Sequence, residues 1–100
     1  REVRNMNVEQ NMTDRELLLY EAKQLIMGVR NHEYGDPKIN FMTIADMWTS
    51  YLGFKVAPHD VAAMMIIVKL SRVHTSPGKW DSWVDMAGYA ALGGEVMPSD

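Results

Sequence analysis

A chain of 100 residues, 47% of them apolar and with a net charge of −3, is long enough to bury one modest core and too apolar to stay disordered. The slightly acidic balance argues against a duplex-DNA binder, whose affinity comes from neutralising phosphates with a basic surface. The absence of cysteine excludes disulfides and thiolate zinc sites and suits a reducing cytoplasm.

The longest unbroken apolar run, Val61 to Val68, is far short of the roughly 20 residues of a membrane span. Residues Arg1 to Gln10 are polar and lack the apolar stretch of a signal peptide. The expectation is a non-membrane, cytoplasmic protein with a flexible N-terminal arm over residues 1–12 and a single helical domain over residues 13–100. Domains of this size often gain burial by self-association, and Trp48, Trp80, Trp83 and the Met-rich composition point to a homo-oligomer.

In chain order, Thr13 followed by Glu16 makes a capping box, which satisfies backbone N–H groups at a helix start. A first helix is expected from about Asp14 to about Asn31, with Leu18, Ala22, Leu25, Ile26 and Val29 on one face. Tyr34-Gly35-Asp36-Pro37 ends it and starts the next: Gly35 turns the chain, Asp36 is an N-cap, and Pro37 suits the first helical position, where no N–H is needed. The second helix, about Pro37 to Leu52, carries Phe41, Ile44, Ala45, Trp48, Tyr51 and Leu52 at helical spacing, and Gly53 ends it.

Pro58 opens a third helix that extends to about His74. Its segment from Val61 to Val68 is apolar around the whole circumference, which belongs at the centre of a bundle or in an oligomer interface. Ser76-Pro77-Gly78 is a turn. A fourth helix is expected from about Asp81 to about Leu92, ending at Gly93-Gly94; its Ala87, Gly88, Ala90 and Ala91 would let a neighbour approach closely. Four helices with short connections predict an all-α, compact four-helix bundle-like domain.

Charge placement singles out the residues that could carry chemistry. Lys69 and Arg72 interrupt the apolar third helix three residues apart, on neighbouring positions of one face. A buried charge costs several kcal/mol unless paired, so they should reach a carboxylate or an anionic ligand, unless they snorkel to solvent near the helix end. Asp81 and Asp85, four apart, stack on one face of the fourth helix with Tyr89 on the same stripe. They could face Lys69 and Arg72 or hold a divalent cation, although Asp81 alone is explained by the helix dipole. The turn carrying Tyr34 and Asp36, with Asn40 one turn on, offers contacts to a base or sugar; its structural reading is a rigid stop and start between helices. His32, His59 and His74 have no metal-ligand spacing, Asp60 complements the third helix's dipole, and no nucleophile motif stands out. The methionines read as core filler.

The series Tyr34-Gly35-Asp36-Pro37, Asn40-Phe41, Ile44-Ala45, Trp48, then Asp60-Val61-Ala62, Lys69-Leu70-x-Arg72 and Asp81-Ser82-Trp83-Val84-Asp85-x-Ala87-Gly88-Tyr89-Ala90 resembles a family of small phage and prophage proteins. The resemblance covers about Leu18 to Glu95 and implies the cytoplasm of an infected bacterial host. The chain is similar, more distantly, to all-α nucleotide pyrophosphohydrolases of the MazG type and to phage nucleotide-modification-associated domains. The MazG pattern pairs a Glu-Glu-x-x-Glu helix with a later acidic helix, and together they hold magnesium over a triphosphate. Asp81 and Asp85 match the later helix with a spacing of four rather than three. The first helix departs from the earlier motif, offering Glu16 and Glu21 only.

Three readings therefore compete. In the first, a non-catalytic protein binds a phosphorylated nucleotide or nucleotide signal and sequesters it against host defence: Lys69 and Arg72 contact phosphate, Asp81, Ser82 and Asp85 orient sugar or base, and Tyr34, Asp36 and Asn40 border the pocket, with no cofactor. In the second, a magnesium-dependent nucleoside triphosphate pyrophosphohydrolase uses Asp81 and Asp85 as metal ligands. In the third, a protein–protein adaptor or inhibitor presents Trp and Met side chains to its partner. The missing glutamate motif favours the first.

Overall fold

A computed structural model describes residues 11–29, 33 and 35–99. Among them run four α-helices and no strand: α1 (Asp14–Gln24), α2 (Pro37–Leu52), α3 (Pro58–Thr75) and α4 (Trp80–Val96). Together they form a compact, roughly bundle-like all-α fold. Tyr34, His32, residues 1–10 and the expected end of the first helix at residues 30 and 31 lie outside the described residues.

Each helix start follows from its local sequence. The Thr13 hydroxyl accepts from Glu16 N at 3.2 Å while Glu16 Oε1 accepts from Thr13 N at 3.0 Å, so two backbone donors are satisfied reciprocally. Asp36 caps α2 by accepting from Lys38 N at 3.0 Å, with Pro37 at the first helical position. Gly35 ahead of that cap has a φ of 73°, and Gly53 ends α2 in the left-handed conformation with a φ of 82°; a Cβ at either position would meet its own backbone. In the following loop Thr49 Oγ1 accepts from Val56 N at 2.8 Å and donates to Val56 O at 3.2 Å, which seats Val56 in the core. Asp60 accepts from Ala57 N at 2.9 Å and closes the first turn of α3.

The core joins Phe41 and Ala45 of α2, Val56 of the loop, Val61 and Ala62 of α3 and Leu92 of α4, with Ile26, Trp48, Met65 and Tyr89 packed around them. α3 and α4 share the most extensive contact; α2 lies against α3, and α1 against α4. Ala62 meets Gly93 and Lys69 meets Asp85, so α3 and α4 run antiparallel from the turn at residues 76–79.

Three helix-level expectations change. The first helix does not continue as a regular α-helix: after Gln24 it widens into a π-helical turn, Leu25–Val29. That wider turn re-aims its side chains: Ile26 packs against α4 at Gly88, while Leu25 is exposed and Leu17, not Leu18, is buried. On α2, Tyr51 and Leu52 are exposed as well, because the core contact ends at Trp48. α4 does not stop at Gly93-Gly94 but runs through both to Val96. Gly93 is a contact residue rather than a terminator: a Cβ there would sit 3.3 Å from Ala62 Cβ, so its bareness lets α3 and α4 approach.

Candidate functional site

Lys69 projects from the middle of α3 toward α4, where its Nζ lies 2.8 Å from Asp85 Oδ2. Both side chains are largely shielded, with 17% and 28% of their surface exposed. The antiparallel register sets the two residues opposite one another, and the pair answers the apolar surroundings that would penalise either charge alone. Among the described residues, Lys69 is the cation of α3 that is used this way, and Arg72 is not.

Arg72 is exposed and faces the turn at the end of the hairpin. There it lines an open groove of about 400 Å³ with Ser71, Thr75, Ser76 and Lys79. Helical spacing explains the grouping: Thr75 and Ser76 follow Arg72 by three and four residues, and Ser71 is four before Thr75. Lys79 arrives because the turn closes tightly, with Lys79 N donating to Ser76 O at 3.1 Å, and because the Trp83 indole N–H donates to Pro77 O at 3.0 Å, holding α4 against the turn.

The chemistry of this groove is that of an anion site. Two cations flank it, and the Thr75 and Ser76 hydroxyls make no hydrogen bond among the described residues. Ser71 Oγ donates to Val68 O at 2.6 Å. Lys79 occupies the N-cap position of α4 without a side-chain cap, so the first-turn N–H groups of α4 add a partial positive charge beside the groove. Asp81 in the same turn offsets part of that charge. Arg72 also complements the C-terminal dipole of α3, a structural role that any bound anion would share.

Asp81 is exposed on the first turn of α4, two residues after Lys79, whereas Ser82 is buried at 3% exposure with no partner for its hydroxyl among the described residues. Asp36 and Asn40 sit on the first turn of α2. Neighbouring Lys38 and Met42 share a shallow pocket with Pro58, Glu95, Val96 and Met97, at the opposite end of the α3–α4 hairpin. The 18 residues of α3 put about 27 Å between those ends. The fold thus gathers Arg72 and Asp81 at one end, Lys69 and Asp85 next to them in the middle, and Asp36 and Asn40 away from both.

Sequence reasoning missed Ser71, Thr75, Ser76 and Lys79; the hydroxyl next to Arg72 and the two one turn after it were the readable signal. It also missed that Trp80 Nε1 donates to Glu21 Oε1 at 2.8 Å, a long-range pairing with no local signature. Glu16 is engaged in its cap, Glu21 on Trp80 and Asp85 on Lys69. Among the described residues no three His, Asp or Glu side chains gather to hold a metal ion, and the carboxylate cluster implied by the MazG resemblance is not found among them.

Among the described residues no helix is long and apolar enough to cross a membrane. A family model described as "Domain of unknown function (DUF6378)" matches residues 17–97. The chain is 45% identical over 75 residues to "Gene 55 protein" of Mycobacterium phage D29, and 41% identical over 76 residues to "Gene 55 protein" of Mycobacterium phage L5. Each alignment takes in 75% of this chain, and the chain spans about half the length of these relatives, 50% and 49% respectively. No solved structure matches it.

Proposed function

The chain belongs to the DUF6378 family of phage proteins, and from that premise we propose that its helical domain binds a phosphorylated nucleotide or nucleotide signal without converting it. The observation that carries the reading is the groove at the α3–α4 turn, which Arg72 and Lys79 line together with Thr75 and Ser76. In this reading Arg72 and Lys79 neutralise a phosphate, Arg72 through its forked donors, and the hydroxyls complete the shell. Asp81, exposed on the first turn of α4 two residues after Lys79, accepts from sugar hydroxyls in this reading. The Lys69–Asp85 pair keeps α3 and α4 in register beneath the groove, and Asp36 and Asn40 lie outside it. In an infected cell such a protein would withdraw a nucleotide signal of host defence from the cytoplasm.

The test is native mass spectrometry and calorimetry with pooled nucleoside triphosphates, monophosphates and cyclic dinucleotides, in the presence of magnesium. The reading expects retained, unchanged nucleotide, with affinity reduced at least tenfold in the Arg72→Ala/Lys79→Ala variant and retained in Asp36→Ala. Release of a monophosphate from a triphosphate would replace it with the pyrophosphohydrolase reading. Neither binding nor conversion would leave a protein–protein adaptor, the reading favoured by the exposed Trp83 and Met47.

A further inference from the structure

Arg72, Ser76 and Lys79 are spaced by the backbone itself. Ser76 N donates to Arg72 O at 2.8 Å, and Lys79 N donates to Ser76 O at 3.1 Å, so each lies one turn from the next. The Trp83 indole N–H fixes Pro77 O, between Ser76 and Lys79, at 3.0 Å. Both cations reach the same groove, and neither makes an ion pair among the described residues, in contrast to Lys69. No carboxylate is among the residues that line it. Ser71, also in the lining, has its hydroxyl proton committed to Val68 O.

The groove therefore presents donors and positive charge without an anion of its own. The Arg72 fork offers two parallel N–H groups, the Lys79 ammonium one, and the Thr75 and Ser76 hydroxyls one each, about five in all. A phosphate esterified once matches this set. Near neutral pH it carries a charge of about −1.5 to −2 and three acceptor oxygens, which answer both cations and can take all of those donors. A phosphate esterified twice, as in a cyclic nucleotide or a cyclic dinucleotide, carries a single charge and has two non-bridging oxygens. It would leave one cation of the groove without a counter-charge. Because the groove is open, each ion pair alone contributes little; selectivity comes from both cations and the hydroxyls acting on one phosphorus.

We infer that the groove recognises a terminal phosphomonoester dianion, so that its nucleotide is a nucleoside monophosphate and not a cyclic mono- or dinucleotide. This rests on the nucleotide reading above and narrows its ligand class. Calorimetry with the full chain at pH 8, well above the second phosphate pKa of about 6, compares four kinds of probe. They are the nucleoside 5′-monophosphates, their methyl esters, their cyclic mono- and dinucleotide counterparts, and ribose 5-phosphate with inorganic phosphate. A monophosphate should bind at least about tenfold tighter than its methyl ester or cyclic form. Lys79 is exposed, so Lys79→Ala should keep the helical circular dichroism spectrum while cutting that preference by about threefold or more, and Lys79→Arg should restore it. Diesters that bind as tightly as the monophosphate overturn the inference and leave the nucleotide reading standing. Ribose 5-phosphate or inorganic phosphate bound as tightly as the nucleotide, with the methyl ester rejected, supports the inference and overturns the nucleotide reading. An unchanged preference in Lys79→Ala overturns the assignment to this groove, and a chain that binds none of the probes overturns both readings.

Discussion

Lys69 Nζ and Asp85 Oδ2 stand 2.8 Å apart across the α3–α4 interface, both side chains mostly shielded from water. Removing one partner leaves the other charge in a poorly hydrated place, which costs more than the intact pair contributes. Because the pair is partly exposed, Lys69→Ala and Asp85→Ala should each destabilise by about 1–2 kcal/mol, below the about 3–5 kcal/mol of a fully buried pair. Urea denaturation of both single variants and the double variant tests this. The double variant should lose less than the sum of the singles, and strict additivity would mean that the two groups do not interact in solution.

Glu21 and Trp80 are joined across the fold by the indole N–H, 2.8 Å from Glu21 Oε1. A hydrogen bond to a charged acceptor is worth about 1.5–3 kcal/mol. Glu21→Ala should therefore lower stability by about 1.5 kcal/mol or more, seen as a lower urea midpoint with unchanged slope. A midpoint identical to wild type would show that the indole finds an equivalent partner in water.

The glycines of α4 divide by what surrounds them. Gly94 has open space where a Cβ would go, whereas Gly93 faces Ala62 Cβ at 3.3 Å and Gly88 faces Ile26 Cγ2 at 3.2 Å. Gly94→Ala should stabilise by up to about 1 kcal/mol through helix propensity and a less flexible unfolded chain. Gly93→Ala should gain nothing or lose, because a neighbouring Cβ fixed to the α3 backbone cannot rotate away. Gly88→Ala should lie between, since the π-turn side chain of Ile26 can shift. Thermal melts of the three variants should follow that order.

Glu16 titrates below the ordinary glutamate value, held there first by its hydrogen bond from the Thr13 backbone N–H and then by the Thr13 hydroxyl. A carboxylate depressed in the folded state contributes stability that is fully present above its unfolded pKa and is lost as the pH falls through its folded pKa. The capping contribution should thus be intact at neutral pH and fade in the acid range. An NMR titration of the Glu16 side chain should show a lowered midpoint, shifted back upward in Thr13→Val. An unchanged midpoint in that variant would leave the backbone N–H as the sole cause.

Much of this architecture was legible residue by residue. Thr13 with Glu16, Asp36 with Pro37, Gly53 and Pro58 act within one helical turn of themselves, so their effects need no knowledge of what packs where. The helix starts and the end of α2 follow from them to within a residue. Gly93 and Gly94 misled because glycine ends helices by default, and only the proximity of Ala62 shows that Gly93 serves contact instead.

For the site, sequence spacing placed Lys69 and Arg72 on one face but could not say which of them would meet Asp85. The antiparallel register decided it, bringing Lys69 to Asp85 and leaving Arg72 to the turn with Thr75, Ser76 and Lys79. The packing of α2 against α3 carried Asp36 and Asn40 to the far end of the hairpin. By itself the sequence determined helical class and caps, both properties of neighbours in the chain. Which charges are neutralised, which face of α3 stays uncovered and which hydroxyls share a groove were decided by tertiary structure, because those depend on helices that meet only after the chain has folded.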